Sequence, residues 1–327
     1  MRIATVSRHA SFTGEGNSLV SLRLSAVQSW LPGKRCRSGR AFRAVAIQGS
    51  TAIKPFPALR HARHRLPSIV IALLLPLSWC ASASEDATNA EAQGLAVARA
   101  ADSVDVGFAD STADLTMVMQ ASSDSPIRRE MRQLTLEVEN DGDKSILVFD
   151  RPRDLKGTAI LTHTHRAGPD DQWLYLPALK RVKRISAADK SGPFMGSEFA
   201  YEDLASQEVE KYTYRYLREE SLAGTLCDVI ERVPVDPKSG YTRQIAWYDQ
   251  AEHRLQQVEY YDRKNTLLKT MNVVNYQLYL DRFWRPDELQ MRNHQTGKQT
   301  ALVFRNYRLQ VGLKPSDFNR NALSRMR

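Results

Sequence analysis

The chain of 327 residues has room for one large domain or two ordinary ones. Its formal charge of +9 would suggest an acidic partner such as nucleic acid, but the first 83 residues hold 12 of the 46 basic and one of the 37 acidic residues, leaving 34 against 36, a net of −2. The basic character belongs to the leader, so no nucleic-acid partner is expected, and Cys227, alone among three cysteines in lying beyond residue 83, excludes a disulfide-stapled scaffold.

Residues 1–59 show no sustained apolar periodicity and read as disordered or as not translated. The second alternative arises because a secretory signal starts near its charged end, and here that end begins near Arg60. The basic segment Arg60–Arg65, the apolar run Ile69–Leu77 and the Ala81-Ser82-Ala83 cleavage pattern together make residues 60–83 a secretory signal, cleaved after Ala83. Leu66–Leu77, interrupted by Pro67 and Pro76, is too short for a span needing about twenty residues, so no membrane anchor is expected. Cys80 fits a lipoprotein acceptor poorly, because Trp79 stands where a small residue is required.

The exported chain, residues 84–327, reads as one domain. Alanine-rich Asn89–Asp102 predicts one helix. The period then changes to two: Leu115, Met117 and Met119 share a face, as do Leu134, Leu136 and Val138, with Gln133, Thr135 and Glu137 opposite. Further strands are expected at Ser145–Asp150, Gly157–His165, a hairpin over 172–186, Glu208–Leu217, Leu222–Val233, Thr242–Asp249, Arg254–Tyr261, Leu267–Leu280, Phe283–Met291 and Gln299–Val311. Polar joints at Asn140–Asp143, Lys238–Gly240 and Arg263–Asn265 suit hairpins, so the pairing is antiparallel. Lys314–Leu323, with Pro315 and Ser316 near its start, predicts a short closing helix.

A sheet this long must curl, because twist accumulates and a flat form would leave long edges. The expected fold is mainly β (α+β): a curved antiparallel sheet forming an unclosed half-barrel, with a few helices covering its concave face. Such a hollow is too wide for its own strands to fill. Tyr212, Tyr214 and Tyr216, or Leu278 and Leu280, are candidates to line it, against ordinary cross-strand packing.

The most informative stretch is Asp170–Leu204. Trp173–Leu176 form a short strand that Pro177 stops. Lys180, Arg181, Lys183 and Arg184 then flank Val182 and Ile185, giving a second strand whose wet face either stays solvated or meets anionic head groups. Gly192, Pro193 and Gly196 make the next segment a loop, yet Phe194, Met195, Phe199 and Tyr201 are large and apolar. Two readings stand: a lid that drops into a cavity, or a loop pinned to an ordinary core by its aromatics.

The composite Trp173-x-Tyr175-x-Pro177, the basic run, Phe194-Met195-Gly196-Ser197 and Tyr201-Glu202-Asp203-Leu204 resembles the signature of the outer membrane lipoprotein-sorting proteins. That family is similar to the periplasmic carriers LolA and LolB, and the resemblance runs from about Ala90 to the C-terminus. It implies a half-barrel whose hollow holds acyl chains of lipid or lipoprotein. It also implies work beside an inner-membrane transporter of the resistance-nodulation-division type, with transient membrane contact. Trp173, Tyr175, Phe194, Met195, Phe199 and Tyr201 are then the candidate ligand-binding residues, in a lid and its seat. A dry apolar void beneath residues 190 to 204 would favour carriage.

His163 and His165 share a strand face near Asp170 and Asp171, but a closed zinc site needs four ligands, and a solvated strand end is the simpler reading. Cys227, in a strand-like run, reads as a small buried hydrophobe. No G-x-S-x-G, H-E-x-x-H, P-loop or Rossmann glycine pattern occurs. The expectation is therefore a periplasmic carrier, not an enzyme, with no metal or cofactor. The alternative is a non-carrying periplasmic module that docks to envelope proteins and fills its concave face with its own loop.

Overall fold

A computed structural model describes residues 81–121 and 125–326. The leader and the signal segment lie outside the described residues, apart from Ala81–Ala83 at the start of the first helix.

That helix, α1 (Ala81–Ser103), precedes β1 (Asp110–Gln120), β2 (Ile127–Leu136), β3 (Lys144–Arg151), β4 (Ala159–His163), β5 (Asp171–Leu176) and β6 (Arg181–Arg184). A long loop with three short 3-10 turns leads to β7 (Tyr212–Leu222), β8 (Thr225–Pro234), β9 (Arg243–Asp249), β10 (Leu255–Tyr261), β11 (Leu267–Tyr279), β12 (Phe283–Asn293) and β13 (Gln299–Leu309). The short α2 (Arg320–Leu323) follows. Among the described residues the strands form one antiparallel sheet of 13, ordered β6-β5-β4-β3-β2-β1-β13-β12-β11-β10-β9-β8-β7. Strands β6 and β7 are its two edges, so the sheet is not closed.

The core shows how far the sheet bends. Met117 on β1 and Phe149 on β3 join one buried cluster with Ile230 on β8, Val258 on β10 and Met291 on β12. Strands far apart in the sheet order share one core only if the wall wraps around it. Register shifts at Thr112/Asp114 on β1 and Tyr216/Arg218 on β7 add local twist.

Both faces are covered over β3 and β4, which explains their continuous apolar runs. Leu147, Phe149 and Ile160 point into the trough, whereas Ile146, Val148, Ala159 and Leu161 pack outside beneath Phe318 and Leu323. The closing helix α2 therefore lies on the convex face. Asn319 caps it, its side chain accepting from the backbone N–H groups of Asn321 and Ala322. A second outer cluster holds Cys227, Val229, Ile245 and Trp247, and burial pushes the Cys227 thiol up.

The helix α1 sits on the concave side of β7. Gly94, Val97, Ala98 and Ala101 recur at helical spacing along its inner stripe, and the last three join the trough core. Gly94 is where the backbones meet: a Cβ there would lie 2.7 Å from Arg215 C and Tyr216 N. No helix among the described residues is long and apolar enough to cross a membrane.

Candidate functional site

The loop between β6 and β7 runs into the trough and plugs one end of it. Phe194 and Phe199 are 0 % and 2 % exposed, and Phe194 packs on Phe149 and Tyr201 at ring distances of 5.9 Å and 5.4 Å. Burying each phenyl ring is worth about 1.5–3 kcal/mol. The expected void beneath residues 190 to 204 is thus largely filled by the chain's own side chains. What space remains there, about 390 Å³, has a mixed lining that includes Ser191, Glu198, Tyr241, Lys269 and Asn293.

Polar latches fix the plug. Asp203 accepts from the Ala200 backbone N–H at 2.7 Å, the Tyr241 hydroxyl at 2.8 Å and Lys269 Nζ at 2.7 Å. Lys269 Nζ also donates to the Glu198 carbonyl at 2.9 Å. Glu202 accepts from the Gly240 backbone N–H and the Ser239 hydroxyl, and burial pushes its carboxyl up. Arg129 Nη1 donates to the Met195 carbonyl at 2.5 Å, and Asn293 Nδ2 to Glu198 Oε2 at 2.7 Å. The acidic pair of the Tyr201–Leu204 segment is therefore a fastening and not solvated charge.

The six predicted ligand residues separate into two groups. Phe194, Met195, Phe199 and Tyr201 meet in the trough core. Trp173 and Tyr175 pack on the convex face beneath the C-terminal segment, because their strand neighbours Gln172 and Leu174 point inward. Trp173 lies edge-on to His163 at 5.0 Å and beneath the Arg320 guanidinium. His163 donates to the Phe318 carbonyl at 2.8 Å, and His165 stands between Asp141 and Asp171, so both imidazoles hold loops.

The trough stays open at its other end. A cavity of about 1130 Å³ lies under the C-terminal turn of α1 and reaches across to the far wall, exceeding the usual ligand-pocket range of about 300–1,000 Å³. Ala98, Ala101, Phe108 and Leu255 give it apolar surface, and Tyr214, Tyr248, Tyr276, Tyr307 and Trp284 give it aromatic surface. Of the sequence candidates, Tyr214 lines it and Tyr216 packs in the adjoining core, whereas Leu278 and Leu280 are exposed.

The cavity is charged unevenly. Its rim carries exposed Asp105, together with Asp102, Asp143 and Glu208, which burial pushes up, Asp143 to about 7. Arg285 reaches Asp105 at this rim, and Arg166 pairs there with Glu210. Deeper in stands Arg232, only 3 % exposed. Sequence reasoning missed Arg232 because it reads as one more charge on a strand, and only the pairing of Tyr214 with Arg232 and of Arg232 with Gln244 shows it to face inward.

A family described as uncharacterized proteins matches residues 141–325. No curated protein matches the chain. Among solved structures, a domain assigned as an outer membrane lipoprotein-sorting protein from Vibrio parahaemolyticus is 51% identical, with a TM-score of 0.71 over 72% of this chain and 99% of its own. A DUF1329 family protein from Desulfovibrio piger is 28% identical, with a TM-score of 0.68 over the same shares. A LolA superfamily protein from Nitrosomonas europaea shares the fold at 22% identity, with a TM-score of 0.58 over 70% of this chain and 98% of its own.

Proposed function

Because this chain belongs to the LolA-like family of outer membrane lipoprotein-sorting proteins, we propose that it is a periplasmic carrier sheltering acyl chains of lipid or lipoprotein. The observation that supports this most is the cavity of about 1130 Å³, whose lining combines aromatic and aliphatic surface with a polar, charged rim. An acyl chain in water costs about 0.8 kcal/mol per methylene, so a chain of about sixteen carbons needs on the order of ten kcal/mol of cover to cross an aqueous compartment. Apolar contacts of this kind are non-directional, which lets cargo leave when an acceptor offers equal cover.

On this reading Trp173 and Tyr175 stiffen the wall, and Phe194, Met195, Phe199 and Tyr201 reach cargo only when the plug withdraws. Edge strand β6 is exposed along its whole length, so Arg181, Lys183 and Arg184, with Lys180 before them, would meet anionic head groups or an inner-membrane exporter of the resistance-nodulation-division type. The task is binding, not catalysis.

Mass spectrometry of protein purified from the envelope without detergent tests the carrier. Bound acyl lipid near one equivalent is expected. An empty extract together with no uptake from vesicles overturns it. The complete burial of Phe194 favours the second reading, a self-filled module that docks to envelope proteins. Ala101→Trp separates the two, since Ala101 lines the cavity from α1. Obstruction empties a carrier while leaving it folded, and leaves a docking module unaffected.

A further inference from the structure

Arg232 is a buried cation without an acid. Among the described residues no carboxylate lies within ion-pair distance of it, although 13 such pairs occur elsewhere. Its guanidinium is held by neutral groups: Nε donates to Gln244 Oε1 at 2.6 Å, and Nη1 donates to the Tyr248 hydroxyl oxygen at 3.2 Å. The Tyr212 ring lies 5.3 Å from its centre. These partners orient the group and offer π-face attraction, but none carries charge. A buried cation left in that state is costly, and an arginine is the side chain best suited to hold an oxyanion by two parallel N–H bonds.

The surroundings leave a place for such an anion. Arg232 and Tyr248 both line the large cavity, and the Tyr248 hydroxyl, already accepting from Arg232, donates to no acceptor among the described residues. Tyr214 cannot serve, because its hydroxyl donates to the Val209 carbonyl at 3.0 Å. The acidic rim residues stand at the mouth, Asp105 being exposed, whereas Arg232 and Tyr248 are 3 % and 8 % exposed. The lining also holds Arg254 and Arg285, but these pair with Asp249 and Asp105, so Arg232 is the inward cation left without an acid, with aliphatic and aromatic surface leading out from it.

We infer that Arg232 and Tyr248 form an oxyanion subsite that receives the head of an acyl-chain ligand, so that the cargo is an anionic amphiphile with a head small enough to enter the trough. This deepens the carrier reading and rests on it. The head, carboxylate or phosphate, accepts from the free guanidinium edge and from the Tyr248 hydroxyl, and the chain lies along the wall beneath α1. Selectivity then comes from the head, because binding a ligand whose head cannot satisfy them would leave these buried donors unpaired.

The test is calorimetric titration of the delipidated exported chain with palmitate, palmitic acid methyl ester and lysophosphatidic acid. Palmitate or lysophosphatidic acid is expected to bind at least about tenfold more tightly than the ester, the better of the two naming the head. The Arg232→Met variant should bind all three alike, and Tyr248→Phe, which loses only a hydroxyl, should narrow the preference while keeping the native melting temperature. Equal binding of acid, ester and lysophospholipid by the native protein overturns the subsite and leaves the carrier standing. Binding of none of the three overturns both. A preference for an anion that persists in Tyr248→Phe and in Arg232→Met places the anion elsewhere and also overturns the subsite.

Discussion

Lys269 Nζ lies 2.7 Å from Asp203 Oδ2 with side chains 4 % and 5 % exposed, so a fully buried ion pair joins the plug to strand β11 at the sealed end of the trough. The Tyr241 and Tyr260 rings, each 5.2 Å from the ammonium, shield it from water. Removing one partner of such a pair strands the other charge. Asp203→Asn is therefore expected to lose about 3–5 kcal/mol in urea denaturation. The exposed Arg218–Glu220 pair is the control, and Glu220→Gln should stay within about 0.5 kcal/mol of the parent. Equal effects at the two sites would show that Lys269 and Asp203 do not fasten the plug.

The plug's aromatics make a separate claim. Phe194→Ala and Phe199→Ala each remove a fully enclosed ring, for an expected cost of about 3–5 kcal/mol apiece. Because the larger cavity lies at the other end of the trough, the double variant should lose thermal stability yet still take up lipid in the cold. A folded double variant that no longer takes up lipid would instead make the plug a moving lid.

Most of the sheet was legible because its residues state a period of two. The turns at Asn140–Asp143 and Arg263–Asn265 marked hairpins that the structure contains. Hairpins alone give a continuous meander, whereas the first strand pairs with the last and the sequence neighbours β6 and β7 lie at opposite edges, because the long plug loop between them crosses the trough. β2 was less legible. It begins at Ile127, seven residues before Leu134, because Arg128, Arg129, Glu130 and Arg132 hide the alternation that buried Met131 reveals. The site was harder still. Trp173 and Phe194 belong to one sequence signature but occupy opposite faces of the wall, a matter of strand parity that a motif does not carry. Arg232 and Lys269 look alike in sequence, and only their partners distinguish the cation paired to an acid from the one left with neutral groups.

The contact at Gly94 predicts how the cavity depends on α1. A side chain there would meet Arg215 C and Tyr216 N at 2.7 Å, and backbone atoms in a strand cannot yield as a side chain would. Gly94→Val should lift α1 from β7 and remove the turn that carries Ala98 and Ala101 over the cavity. The expected result is lost lipid retention and faster proteolysis between α1 and β1, with the circular-dichroism signal of the sheet preserved. Unchanged retention would show that α1 is not part of the enclosure.

The rim carboxyls predict a pH dependence with a definite sign. Burial first, then the neighbouring Glu208, pushes Asp143 from the usual 3.8 up to about 7. The folded protein therefore holds this proton more tightly than the unfolded chain does, so its contribution to stability is fully present below about pH 4 and is lost as pH rises toward 7. Asp102 and Glu208 shift in the same direction. Asp141, held at about 2 by the backbone N–H groups of Arg166 and Gly142, acts oppositely, but only as pH falls through the range from about 4 to 2. Between pH 5.5 and pH 8 the His163 imidazole, which burial pushes down from 6.5, acts against this, but the larger rise of Asp143 dominates. Urea denaturation should find the native protein less stable at pH 8 than at pH 5.5, with a smaller difference in Asp143→Asn. If the variant keeps the full native dependence, Asp143 is not the titrating group.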